Sequence, residues 1–326
     1  MESISAPIID VCANCGKEEG GEITLKVCTA CKLVKYCDRD CQAAHRPKHK
    51  KACKQRAAKL HDEALFKEHP PPEECPICML PLPTRAIFQS CCGKRICDGC
   101  ICSMMREIIG RGKIELKDQI CPFCRMPPAG SAQKEVERVQ ALITKSDNVY
   151  AYNKLADYYS GGELGLPQDW AKANDLYCKS GELGCARAYH CLGRSYADGR
   201  GFEMDKKKAK YYWEIAAMNG DAQARIELGG IEFEQGNYDR AYKHYMIAAR
   251  AGNEKALEGV KAGYMDGIVT KDEYAGTLRA HHDRQKEMKS DERDKAATFY
   301  NHPNFGQYPS SETLDKLAAL AKNRRG

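Results

Sequence analysis

Nineteen cysteines in 326 residues, sixteen of them within the first 124, constrain this chain more than any other feature. Seven lie between positions 12 and 53 and nine between 75 and 124, while Cys178, Cys185 and Cys191 are scattered beyond. The start, MESISAPIID, has neither the basic nor the apolar region of a secretory signal. The expected setting is therefore a reducing compartment, cytoplasmic or nuclear, where cysteines bind metal or do chemistry rather than pair as disulfides. No run approaches the roughly 18 apolar residues of a membrane helix, so no membrane partner is expected. A chain 43% hydrophobic and 29% charged is not wholly disordered.

The first cluster reads Cys12-x2-Cys15, Cys28-x2-Cys31, Cys37-x3-Cys41, His49-x3-Cys53. These are eight ligands in four pairs, enough for two closed zinc sites. Residues 32–36 can form a short strand and 38–53 a helix, which puts 37/41 and 49/53 on one face each. A segment this short buries too little apolar surface to fold alone, and structural zinc supplies about 10–16 kcal/mol in small zinc peptides. The run VKYCDRDCQAAHRPKHKKAC behind two CxxC pairs resembles a MYND-type zinc finger over residues 12–53. That resemblance implies interleaved ligation, with Cys12, Cys15, Cys37 and Cys41 on one ion and Cys28, Cys31, His49 and Cys53 on the other. Spacing alone leaves a sequential pairing open, and His45 is a second histidine within reach. The resemblance also implies a binding module for proteins or proline-containing peptides. Residues 42–60 carry seven Lys/Arg and no acid. Without interleaved aromatic residues they read as a solvated helix face rather than a phosphate contact. Residues 54–74 are expected to be a linker, helical at first and stiffened by Pro70, Pro71 and Pro72.

The second cluster reads Cys75-x2-Cys78, then Cys91-Cys92, Cys97-x2-Cys100 and Cys121-x2-Cys124, with Cys102 left over. CPIC, CCGKRICDGC and CPFCR resemble a RING-type zinc finger over residues 75–125. Lys94 stands where the common pattern has a histidine, and a protonated lysine is no ligand. The all-cysteine variants of the family imply Cys75, Cys78, Cys97 and Cys100 on one ion and Cys91, Cys92, Cys121 and Cys124 on the other. Adjacent cysteines on one ion need a kinked backbone, which Gly93 makes accessible. Cys102 or a water in place of one of them is the alternative. RING fingers of this kind are ubiquitin ligases without a nucleophile of their own: they hold a ubiquitin-conjugating enzyme and orient its thioester. By position, the resemblance carries the conjugating-enzyme contacts onto Ile77, Met104, Pro122, Phe123 and Arg125. Against it stand plain local packing for the apolar residues and a solvated charge for Arg125.

Beyond residue 133 the chain repeats. Segments 147–184, 185–220 and 221–252 align, with Ala173, Ala209 and Ala241 in phase at intervals of 36 and 32 residues. Such periods signal stacked helical hairpins. Leu192-Gly193, Ala216-Ala217 and Gly220, with their equivalents, let helices approach closely and end. This region resembles the Sel-one-like repeat, a relative of the tetratricopeptide repeat. That implies an α-solenoid over residues 133–288, with a leading helix at 133–146 and a degenerate fourth copy from Asn253 ending in a long capping helix. Such arrays bind proteins. Trp170 and Trp213 are expected in the core, Cys178, Cys185 and Cys191 as buried thiols, and His281 and His282 in solvent. Residues 289–326 read as a mostly flexible tail with a short helix at 311–322.

The expected fold is therefore two small zinc-stabilised modules followed by an all-α helical-repeat solenoid, with four zinc ions. The expected function is a RING-type ubiquitin ligase, with the MYND finger and the repeats recruiting protein partners. The alternative is a non-enzymatic adaptor. Metal loading also changes the charge reading. The formal charge is +6, but fifteen ligating thiolates and four Zn²⁺ bring it close to neutral. Little support for nucleic-acid binding remains.

Overall fold

The computed structural model describes residues 11–68, 70–83, 86–110 and 120–300. Contacts divide the chain into two units, Met1–Lys67 and Glu68–Gly326. The division falls inside the segment read as a linker.

The first unit is a two-stranded ribbon and one helix. β1 (Lys26–Val27) pairs antiparallel with β2 (Lys35–Tyr36). Helix α1 (Arg39–Leu65) starts where the Asp38 carboxylate accepts the Cys41 N–H at 2.7 Å. It runs past residue 53 and through Pro47, whose missing N–H leaves a gap in its ladder. The core is small: Cys12, Leu25, Cys28, Cys31 and Tyr36. Most of it is sulfur, so the metal ligands and the core are largely the same residues.

The second unit begins with another ribbon, β3 (Ile87–Phe88) against β4 (Arg95–Ile96), followed by α2 (Asp98–Gly110). Helical pairs come next: α3 (Ala132–Ser146), α4 (Val149–Gly161) on α5 (Trp170–Glu182), α6 (Ala186–Asp198) on α7 (Lys206–Met218), and α8 (Ala222–Glu234) on α9 (Tyr238–Arg250). The degenerate copy forms α10 (Glu254–Met265) and α11 (Lys271–Met288). Asn148, Asp169, Asp205, Asp221 and Asn253 each cap a helix by accepting backbone N–H groups. The in-phase glycines of the first helices carry aromatic rings of their neighbours. A Cβ on Gly193 would lie 2.4 Å from the Trp213 indole, and one on Gly229 2.5 Å from Tyr245.

Four expectations need correction. The chain does not become a tail at 289, because Asp291–Tyr300 forms α12, which packs on α2 with Ala296 fully buried. The proposed helix at 311–322 lies outside the described residues. His281 is buried, not solvated: its Nδ1 lies 2.8 Å from the Ala249 carbonyl and its Nε2 3.1 Å from Glu254. His282 is exposed. Of the three scattered thiols only Cys185 is buried, while Cys178 and Cys191 are half-buried. Trp213 is in the core, whereas Trp170 is half-buried and stacks with the Arg200 guanidinium.

The second zinc module touches both ends of the helical array. At the α3–α4 end Phe88 joins the cluster of Val136, Val139 and Leu155, Ser90 donates to Glu135 at 2.7 Å, and Asn148 donates to the Gly93 carbonyl. At the far end α12 lies on α2, and Arg106 pairs with Glu292 at 2.8 Å.

The middle of the array encloses polar side chains. Glu232 is buried between Lys210 at 2.8 Å and Arg240 at 3.4 Å, near Arg225 and the fully buried His244. Burial first, and the Arg225 cation second, push the His244 imidazole down to about 3. The unfolded chain takes up this proton below about pH 6.5 while the folded one does not. The contribution is therefore present above that pH and falls as acid is added, by about 2 kcal/mol at pH 5. Urea midpoints at pH 7 and pH 5 should show this loss in the native chain and a smaller one in His244→Gln. An equal loss in both would remove His244 as its source.

Candidate metal centres

Four of the five CxxC pairs sit in the same local turn, while the fifth, Cys97 and Cys100, lies at the start of helix α2. The residue after the second cysteine donates its N–H to the carbonyl of the first: Gly16 to Cys12, Lys32 to Cys28, Met79 to Cys75 and Arg125 to Cys121, at 2.8–2.9 Å. That residue is left-handed in all four cases, with φ of +74°, +56°, +56° and +61°. Three of the four are not glycine and pay about 1–2 kcal/mol for this conformation. In return both sulfurs of a pair point to one spot.

These turns gather the ligands into four groups. In the first unit they are Cys12, Cys15, Cys37, Cys41 and Cys28, Cys31, His49, Cys53. In the second they are Cys75, Cys78, Cys97, Cys100 and Cys91, Cys92, Cys121, Cys124. Within each group the donor atoms all lie within 4.8 Å of one another. Both modules therefore interleave the first pair with the third and the second with the fourth, and the sequential pairing is not what the fold brings together.

The donor geometry fits zinc. Four sulfurs at about 2.3 Å from a tetrahedral ion are separated by about 3.8 Å. The chain has Cys15–Cys37 at 3.7 Å, Cys28–Cys53 at 3.8 Å, Cys78–Cys97 at 3.7 Å and Cys92–Cys121 at 3.9 Å. Disulfides, with sulfurs about 2.05 Å apart, are excluded for these pairs. His49 Nε2 is 3.2 Å from Cys31 Sγ. His45 instead meets the Tyr36 hydroxyl at 3.0 Å and stacks on His49. It orients the ligand rather than replacing it. All donors are sulfur or imidazole, and each group supplies four, which are marks of closed, structural zinc sites.

The thiol acidities point the same way. Burial raises Cys12, but backbone N–H groups of Cys15, Cys37 and Asn14 outweigh it and bring the thiol down to about 6. The Asp38 carboxylate and Cys41 push Cys37 well above the usual thiol range. Cys75 falls to about 7, because backbone N–H groups oppose its burial. Burial and the neighbouring thiols push Cys92 up to about 11 and Cys91 higher still. Thiols packed this closely cannot all ionise alone. A dication at the centre removes the conflict.

In the second module Gly93 has φ +68°, as the adjacent Cys91 and Cys92 require. Cys91 and Cys92 both belong to the cluster, and Cys102, buried on α2, does not. Lys94 stays outside it, with its ammonium 5.9 Å from the Phe123 ring. Of the five positions read as conjugating-enzyme contacts, Ile77 and Met104 share one groove of about 380 Å³ with Ser103, Glu107, Glu292 and Arg293. Ile77 and Phe123 are 40% and 45% exposed, Pro122 is half-buried and Arg125 is exposed. Pro122, Phe123 and Arg125 are on the other zinc loop and do not line that groove. Two residues at the module had no sequence signal: Met79, which is 64% exposed beside Ile77, and Arg293, which arrives from α12.

No described helix is long and apolar enough to cross a membrane. Residues 12–53 match the MYND finger family. Two curated relatives match over 108 residues, 31% of this chain: the DAP3-binding cell death enhancer 1 of Rattus norvegicus at 34% identity and that of Mus musculus at 35%. The chain spans about a fifth of the length of these relatives. Among solved structures, a Sel1 repeat protein from Oxalobacter formigenes aligns over 40% of this chain and 98% of its own, at 30% identity and a TM-score of 0.35. The uropathogenic Escherichia coli antigen c5321, which displays an SLR fold, aligns over 69% of this chain and 45% of its own, at 18% identity and a TM-score of 0.39. The chain thus joins a match to the MYND finger family, a second four-pair cysteine module and a stack of helical hairpins.

Proposed function

We propose that the second zinc module is a RING-type finger and that the chain is a ubiquitin ligase. In this reading Ile77, Met104, Pro122 and Phe123 dock a ubiquitin-conjugating enzyme. A substrate lysine amine then attacks the thioester carbonyl of the held ubiquitin, and the thiolate of the conjugating enzyme leaves. The module contributes orientation alone, because every cysteine near that surface is committed to metal except Cys102, which is buried. The observation that carries the reading is Ile77. It is a large aliphatic side chain between two ligands, held 40% exposed beside Met104 on a cross-braced zinc core. Arg125, exposed and fixed in its left-handed turn, supplies donors for ubiquitin and the enzyme together. The MYND finger and the helical array supply substrate or partner binding, the finger through proline-containing peptides.

Zinc-loaded full-length protein should build ubiquitin chains with at least one of a panel of conjugating enzymes. Ile77→Ala and Arg125→Ala should each slow this about tenfold, the effect of losing roughly 1.4 kcal/mol from a small interface. Zinc content should not change. Absence of chains with every enzyme would leave the non-enzymatic adaptor as the function. Lys94 favours that second reading, because it adds a cation where the common pattern places a ligand.

A further inference from the structure

Arg293 is a charged residue only 8% exposed, in the first turn of α12. Its guanidinium is directed into the second zinc module. Nη1 donates to the Pro81 carbonyl at 2.8 Å and to the Met288 carbonyl at 2.8 Å. Nη2 donates to Cys78 Sγ at 3.5 Å and to the Leu80 carbonyl at 3.4 Å. The module is shaped to admit it: a Cβ on Gly99 would come within 2.7 Å of Arg293 Cγ and 2.9 Å of its backbone nitrogen.

The charges explain why a cation belongs there. Four thiolates on one Zn²⁺ leave a net charge of −2 at a partly buried centre. A guanidinium donating to a ligand sulfur offsets part of that charge and fixes the sulfur's direction. Burying an arginine costs several kcal/mol unless it is paired. Here its anionic partner is the metal–thiolate group itself. Ion binding and docking of α12 therefore favour each other, and by linkage each must strengthen the other equally.

We propose that Arg293 is the outer-sphere partner of the zinc site formed by Cys75, Cys78, Cys97 and Cys100, so that a helix more than 190 residues away in sequence is a working part of that site. The same contacts brace Leu80 and Pro81, just beyond Ile77. The inference needs only the metal site, not ligase activity.

The test is zinc release from the full chain into a chromophoric chelator, with alkylation and peptide mapping of the cysteines exposed during each phase. In Arg293→Met one ion of the four should leave about 10–100-fold faster, the usual effect of losing an outer-shell partner. Cys75, Cys78, Cys97 and Cys100 should be the thiols alkylated in that phase. Arg293→Lys, which keeps the charge but not the fork, should fall between. Glu292→Lys opposes Arg106 across the α2–α12 contact and touches no ligand, so it should speed the same ion a few-fold. With cobalt in place of zinc, Arg293→Met should shift the thiolate-to-metal charge-transfer band. Native release rates in both Arg293→Met and Glu292→Lys would overturn the proposal. So would equal acceleration of all four ions in Glu292→Lys.

Discussion

Replacing Cys31 by serine should cost the chain two of its four zinc ions, not one, and should unfold residues 12–53 while leaving the helices of the second unit intact. Cys31 is fully buried, and its sulfur faces His49 across the second site of the first unit. Losing it removes one ion directly. The other ion of that unit joins Cys12 and Cys15 to Cys37 and Cys41, and the chain between those pairs is the segment that carries Cys28 and Cys31. Once that segment is loose, the remaining site must close a loop of about twenty disordered residues. The core cannot compensate, because three of its five buried residues are cysteines. Structural zinc supplies about 10–16 kcal/mol in comparable peptides, far more than so small a core. Metal analysis after dialysis is the readout, with hydrogen exchange reporting on residues 12–53. Retention of three ions would mean that the two sites are independent, as a sequential pairing would make them.

The second large effect is in the repeats. Trp213→Ala should destabilise the array by about 3–5 kcal/mol, the range for deleting a large buried aromatic. The indole is in the core, donates to the His190 carbonyl at 3.2 Å and lies directly on Gly193. The more searching measurement is the pair. Gly193→Ala alone should cost about 1–2 kcal/mol, because its Cβ collides with the ring. With Trp213 already removed the same Cβ enters free space. The higher helix propensity of alanine should then make Gly193→Ala stabilising, by up to about 1 kcal/mol. A change of sign across the cycle identifies the ring as the reason for the glycine. Additivity within about 0.5 kcal/mol would refute this.

The metal ligands were readable in the sequence because metal chemistry is local: two cysteines two residues apart share a turn whatever follows. The interleaving came only with the family resemblance, and the fold brings the same groups together. Of the left-handed residues that follow four of the pairs, Gly16 is the one glycine. Lys32, Met79 and Arg125 are types that normally avoid that conformation, so only the metal turn explains them. The helical pairs were legible from the spacing of alanines and glycines. The aromatic ring seated on each glycine was not, because it comes from a neighbouring helix. His281 adjoins His282 in a charged stretch, and nothing local says that one faces the Ala249 carbonyl and the other solvent. The α12 segment, DERDKAATFY, is polar enough to read as a tail. Among its described side chains the buried ones are Arg293 and Ala296, a cation and a single methyl group, which give hydrophobic periodicity little to detect.

A stack of repeats ordinarily has two loose ends, and opening begins there because terminal hairpins have a neighbour on one side only. In this chain the second zinc module holds α3 and α4 through Phe88, Ser90 and Gly93, and it holds α12 through Arg106. Here the first helices of the stack and the helix that follows its last pair are fastened to one and the same cysteine module, so opening at either place means parting from that module first.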